Sequence, residues 1–167
     1  MALQSPKRVY VACGILVIVS ILYITANTAP IWETESVKSD TGTGALWKLC
    51  ATNKTISMCH NFPYSMDHKV ITTRASITTC CILSPLSVIS ILLIIFVNEN
   101  LKKQMSLLAK VLAIASVISG IIGVTLGITI LVDVIQNTGD SMGVSCILAI
   151  IAVALNLVGA VITCLIK

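Results

Sequence analysis

The sequence predicts an all-α membrane protein, a four-helix transmembrane bundle. Composition, four long uncharged stretches and the distribution of Lys and Arg between them predict it. Of the 167 residues, 56% are hydrophobic, 11% charged and 4% aromatic, with a mean hydropathy of +0.99. A soluble domain is about 45–50% apolar and about 25% charged, so this chain has more aliphatic side chain than a water-soluble core of its size can hide. A soluble globular enzyme and a disordered chain are both excluded. The net charge of +4 is explained by topology, and nucleic-acid binding is not expected.

Residues 9–32, 75–98, 111–132 and 141–166 contain no charged residue. A hydrocarbon core of about 30 Å needs roughly 20 helical residues, and each stretch is long enough. Backbone groups in lipid must bond within their own segment, so each stretch is read as a helix despite its β-branched content. Residues 1–8 precede the first span, and residues 33–74, 99–110 and 133–140 connect the four in a single domain. Lys7, Arg8, Lys102, Lys103, Lys110 and Lys167 lie on one side with one acid, Glu99. The other side carries Lys38, Lys48, Lys54, Lys69 and Arg74 with six acids. This bias places both termini in the cytosol and the connections 33–74 and 133–140 outside. A cleaved signal peptide is the competing reading of span one. A cut after Ala29 would face Pro30, and an uncleaved anchor is the expectation.

No span contains Asp, Glu, Lys, Arg or His. Intramembrane ionisable residues mark ion and proton routes, so a proton-coupled transporter, a pump or a voltage sensor is not expected. CxxC, HExxH, GxSxG and P-loop motifs are absent, and no enzymatic activity or cofactor is expected. The spans do carry small residues at helical spacing. Span three offers Ser116, Gly120, Gly123 and Gly127; span four offers Ala149, Ala152, Asn156, Gly159 and Thr163. Ser84 and Ser87 flank Pro85 in span two. Such surfaces let helices approach closely, either within one bundle or between copies.

In the first connection, Pro30-Ile31-Trp32 leads through a polar stretch to Gly44-Ala45-Leu46-Trp47-Lys48-Leu49-Cys50, and Cys59 follows. Cys50 and Cys59 are the only cysteines outside the spans, and an oxidising compartment makes them a disulfide pair. Imperfect alternation over 46–58 suits a disulfide-linked β-hairpin. Asn53-Lys54-Thr55, near its tip, is a glycosylation sequon. His60 and His68 match no standard metal spacing, and no metal is expected. Glu33, Glu35 and Asp40 form an acidic run that reads as solvated, diluted by Lys38 and Lys48.

These residues resemble the claudin, peripheral-myelin-protein and epithelial-membrane-protein superfamily. The pattern there is W…GLW-x-x-C…C in the first loop of a four-span protein. Trp32, Gly44, Leu46, Trp47, Cys50 and Cys59 match it, with Ala45 inserted, and Arg74 resembles a basic residue that claudins carry before span two. The resemblance implies a small extracellular antiparallel β-sheet on the bundle, with Trp and Leu of the motif anchoring it at the outer leaflet. It also implies a plasma-membrane protein of cell–cell or tight junctions, with a structural barrier role through lateral association with itself or other claudin-like proteins. The alternative within the superfamily is a membrane organiser or auxiliary channel subunit. The second connection is shorter than in claudins, and no PDZ-scaffold partner is expected.

Overall fold

The computed structural model describes the backbone of residues 6–28, 33–37, 40–44, 47–53, 56–61, 68–97, 99–138 and 141–166. Side chains are described for residues 9–28, 47, 68–97, 101–133 and 142–166. Four helices carry most of the chain: α1 (Pro6–Thr28), α2 (His68–Phe96), α3 (Glu99–Thr138) and α4 (Val144–Cys164). All four are long and apolar enough to cross a membrane. Between α1 and α2 lie β1 (Glu33–Val37), β2 (Asp40–Gly44), β3 (Lys48–Asn53) and β4 (Ile56–Asn61), and β5 (Ser141–Met142) precedes α4.

The helices run up and down, each packed on two neighbours: α1 on α2 and α4, and α3 on α2 and α4. Their faces are arranged for lipid. Large aliphatic side chains such as Ile18, Ile89, Ile118 and Val161 face outward, each more than half exposed. Ser84, Ser87, Ser116, Asn156 and Thr163 are buried. In water this distribution would be inverted. In a bilayer the outside is already apolar, so helices adhere through close packing and interhelical hydrogen bonds.

The centre of the bundle shows both. Asn156 on α4 donates from Nδ2 to the Ser116 hydroxyl of α3 at 2.9 Å and to the Tyr23 hydroxyl of α1 at 3.3 Å. Turning the amide over would give both hydroxyls an acceptor but strand two N–H donors, a poorer balance than the one unpaired Oδ1. Ser20 of α1 shares a hydrogen bond with Ser84 of α2 at 2.9 Å. Cys80 Sγ of α2 donates to the Ser116 carbonyl at 3.3 Å, and the Ser87 hydroxyl to the Ala109 carbonyl at 3.2 Å. Every adjacent pair of helices except α1–α4 and α3–α4 is thus tied laterally by hydroxyl or thiol. Asn156 supplies the other two.

The small residues named from the sequence lie on these inward faces. Ser116, Gly120, Gly123 and Gly127 are buried on α3; Ala149, Ala152, Asn156, Gly159 and Thr163 are buried on α4. Their spacing serves packing inside one bundle. A Cβ on Gly123 would meet Ile77 Cδ1 at 3.0 Å, and one on Gly159 would meet Leu16 Cδ2 at 2.9 Å. Gly120 is tightest, with Tyr23 Oη 2.5 Å from that position.

The helix bounds differ from the uncharged stretches in two places. Residues 99–110, expected to link the second and third spans, are the first three turns of α3, so only residues 97–98 separate α2 from α3. Lys, Gln, Leu and Met there are good helix formers, and nothing in the segment stops the helix. Ser141 and Met142, uncharged and therefore read with the fourth span, pair with β1 instead. Gly143, extended at φ −78° and ψ 158°, then caps α4. The absence of charge does not distinguish the edge of a sheet from the start of a helix.

The sheet is five-stranded and antiparallel, in the order β4-β3-β2-β1-β5. Its strands follow α1, precede α2 and join α3 to α4. All of it therefore belongs to one end of the bundle, opposite the α2–α3 turn.

Gly120→Ala should lower stability by about 1–3 kcal/mol, because the added methyl overlaps a buried, stiff tyrosine. In a Tyr23→Phe background the obstructing oxygen is gone, and the same substitution should cost at least ~1 kcal/mol less. Thermal unfolding of the four proteins in detergent measures this. Strict additivity would refute the contact.

Candidate functional site at the sheet–bundle junction

Among the described residues the candidate site is the junction where the sheet meets the helices. Trp47, just before β3, is 44% exposed. Its Nε1 donates at 3.0 Å to Oδ1 of Asn27, the penultimate residue of α1. The Arg74 guanidinium, in the second turn of α2, lies 5.2 Å from the centre of the same ring. One indole thus touches α1, α2 and the sheet. Its edge is held by a hydrogen bond and its face by a cation. A cation–π contact is worth about 0.5–1 kcal/mol when exposed and ~2 kcal/mol when desolvated. The half-exposed ring suits the interfacial zone of a bilayer, where one side is apolar and the N–H needs a partner.

Behind Trp47 the register of the sheet is fixed. Cys50 on β3 and Cys59 on β4 are direct cross-strand partners. Directly opposed residues have Cα atoms about 4.5–5.5 Å apart, inside the range a disulfide spans without moving the backbone. The sulfur atoms themselves lie outside the described residues. Cys13, Cys80, Cys81, Cys146 and Cys164 are all free thiols on helices. Asn53 ends β3 opposite Ile56, so a two-residue connection, 54–55, joins β3 to β4. Gly44 ends β2, paired with Glu33 on one side and Leu49 on the other. Trp32 and Leu46 lie outside the described residues.

A second tie crosses the helices near the same end. Lys69 Nζ of α2 is 3.6 Å from Asp133 Oδ2 of α3, with both side chains more than half exposed. Such a pair contributes little to stability. Among the described residues, no group of three His, Cys, Asp or Glu side chains is placed to hold a metal ion.

Sequence reasoning singled out Trp47 and Arg74 but missed Asn27 and Tyr23. Asn27 has one signal, an amide in the last turn of an aliphatic helix. Tyr23 is the only aromatic residue well inside span one, a place where a hydroxyl must find a partner. No family model matches the chain, and no curated protein matches it.

Two measurements test the junction. Arg74→Gln and Trp47→Leu should each destabilise, and together by ~0.5–1 kcal/mol less than their sum, since either removes the shared contact. A zero coupling in a thermal double-mutant cycle would dissolve the clamp. For the cysteines, non-reducing peptide mass spectrometry should find Cys50 joined to Cys59. Cys50→Ser should cost roughly 2–3 kcal/mol on the chain-entropy model. Alkylation of either thiol in the native, unreduced protein would overturn the pairing.

Proposed function

We propose that this chain is a claudin-like integral membrane protein of the plasma membrane, enriched at cell–cell contacts. It acts structurally, through lateral association of bundles and their sheets with like proteins, and catalyses no reaction. Both termini face the cytosol, and the sheet end faces outward. The observation that carries the proposal is the junction. A motif tryptophan, held between a helix-end amide and a helix-start arginine, leads directly into a strand whose cysteine faces its motif partner across the ladder. An outward-facing sheet fixed to the bundle at that point is rigid enough to present a surface to a neighbour. The charge bias of the two ends supports the orientation.

A second assignment, to the membrane-organising branch of the superfamily, is favoured by Asn53. Its sequon falls at the β3–β4 connection, where a glycan would be accommodated without breaking the ladder. A glycan there is more typical of that branch than of claudins.

The test is enrichment of tagged protein at contacts in junction-forming cells, against cells without claudin-like neighbours. Wild type should concentrate at contacts in the first and spread evenly in the second. Trp47→Ala should lose the enrichment. Phe96→Ala, 83% exposed at the opposite end, should keep it. Even distribution of wild type in both cell types, with normal surface delivery, would favour the membrane-organising assignment.

A further inference from the structure

We infer that the α2–α3 end of the bundle holds the headgroup of an acidic phospholipid on one face of α3, between Lys103 and Lys110. The inference is independent of the proposed junctional role and of which leaflet that end faces.

It begins with depth. Ala109 is buried in one cluster with Val9 and Ala12 of α1, Val88 and Ile91 of α2, and Ile166 just past α4. Val9 is the first residue of the uncharged run of α1, and Ile166 the last of the run that ends with α4. The hydrocarbon boundary at this end therefore runs near the level of Ala109. Lys110 follows it on the helix and sits at that boundary. Two turns farther out along the same continuous helix is Lys103. Seven residues return a helix to nearly the same direction, so both lysines share a face. Leu107 lies between them, 66% exposed, and Ile114 continues the face into the apolar layer at 46%.

The face thus alternates cation, aliphatic, cation, aliphatic on the way into the membrane. Lys103 is exposed and Lys110 half-buried. An ion pair lies at the other end, between Lys69 and Asp133, and neither Lys103 nor Lys110 has a hydrogen-bond or ion-pair partner among the described residues. An ammonium at the edge of hydrocarbon without a counter-charge is costly, and long lysine stems let the head swing toward phosphate. A phosphate set between the two lysines puts one negative charge within reach of both ammonium groups. Its acyl chains would then lie along Leu107 and Ile114, which a free phosphate ion would leave uncovered. Net negative charge on the headgroup distinguishes an acidic lipid from a zwitterionic one, whose own ammonium or choline competes for the phosphate.

Native mass spectrometry of the full-length protein in detergent tests this. The probes are phosphatidylglycerol and phosphatidylcholine of identical chains. Phosphatidylglycerol should be retained preferentially. Lys103→Gln and Lys110→Gln should each weaken its binding about fivefold, the scale expected for one juxtamembrane lysine. Lys69→Gln, at the sheet end, should leave it unchanged. Lys103→Arg with Lys110→Arg should keep binding within about twofold, since the charges remain. A thermal melt of each variant reports whether it is folded. Wild-type retention by the folded double Gln variant would overturn the site, as would loss in the double Arg variant. Equal binding of phosphatidylcholine would remove charge recognition. Displacement of the lipid by millimolar inorganic phosphate would make it a phosphate site instead.

Discussion

The hydrogen bonds from Asn156 to Tyr23 and Ser116 set the geometry on which the other contacts rest. In a bilayer, burying more aliphatic surface between helices gains little, because the lipid tails are equally apolar. What joins three helices at one crossing is a single buried amide that gives its N–H groups to a hydroxyl on each of the other two. Each interhelical bond of this kind is worth only about 0.6 kcal/mol on average in measured membrane proteins, with an upper end near 1–2 kcal/mol. The network therefore does more for register than for stability. Moving α4 by one residue would strand the amide. Moving α3 would put a side chain where Gly120 now lets the Tyr23 hydroxyl approach.

Register at the centre then propagates to the ends. With α1 and α2 fixed to each other through Ser20 and Ser84, Asn27 in the last turn of α1 and Arg74 in the second turn of α2 both reach Trp47. The sheet needs only that one indole to be oriented, because its strands are already ordered by their own ladder. The contact between β1 and β5 adds a second attachment through the α3–α4 connection. A sheet attached through α1, α2 and the α3–α4 connection moves with the bundle, and a surface built on it keeps its shape.

Much of this was legible in the sequence, for a physical reason: lipid tolerates so few residue types that four uncharged runs already imply four helices. The loop motif was legible because tryptophan, cysteine and arginine each have a narrow range of uses near a membrane surface. Other features were hidden. The helical character of residues 99–110 was masked by their charges, which mark a boundary in the lipid but not in the backbone. β1 and β2 were not read as strands, because Glu33, Glu35 and Asp40 lack the apolar alternation of a half-buried strand. Asn27 was invisible because one amide near a helix end has no pattern. Its role exists only once Trp47 is beside it.

The packing also limits where the sequence can change. At Gly120, Gly123 and Gly159 even a single added methyl would come within about 3 Å of a neighbouring helix's side chain. Helices that close are in direct contact at those levels, and Asn156, Tyr23 and Ser116 bond to one another between them. For the same reason, change at the outward-facing residues costs the packing least. Substituting Ile118 or Val161 alters only the outward surface and leaves Tyr23, Ser116 and Asn156 in place. Substituting Gly120 disturbs the register of all four helices and, through Asn27 and Arg74, the seat of the sheet.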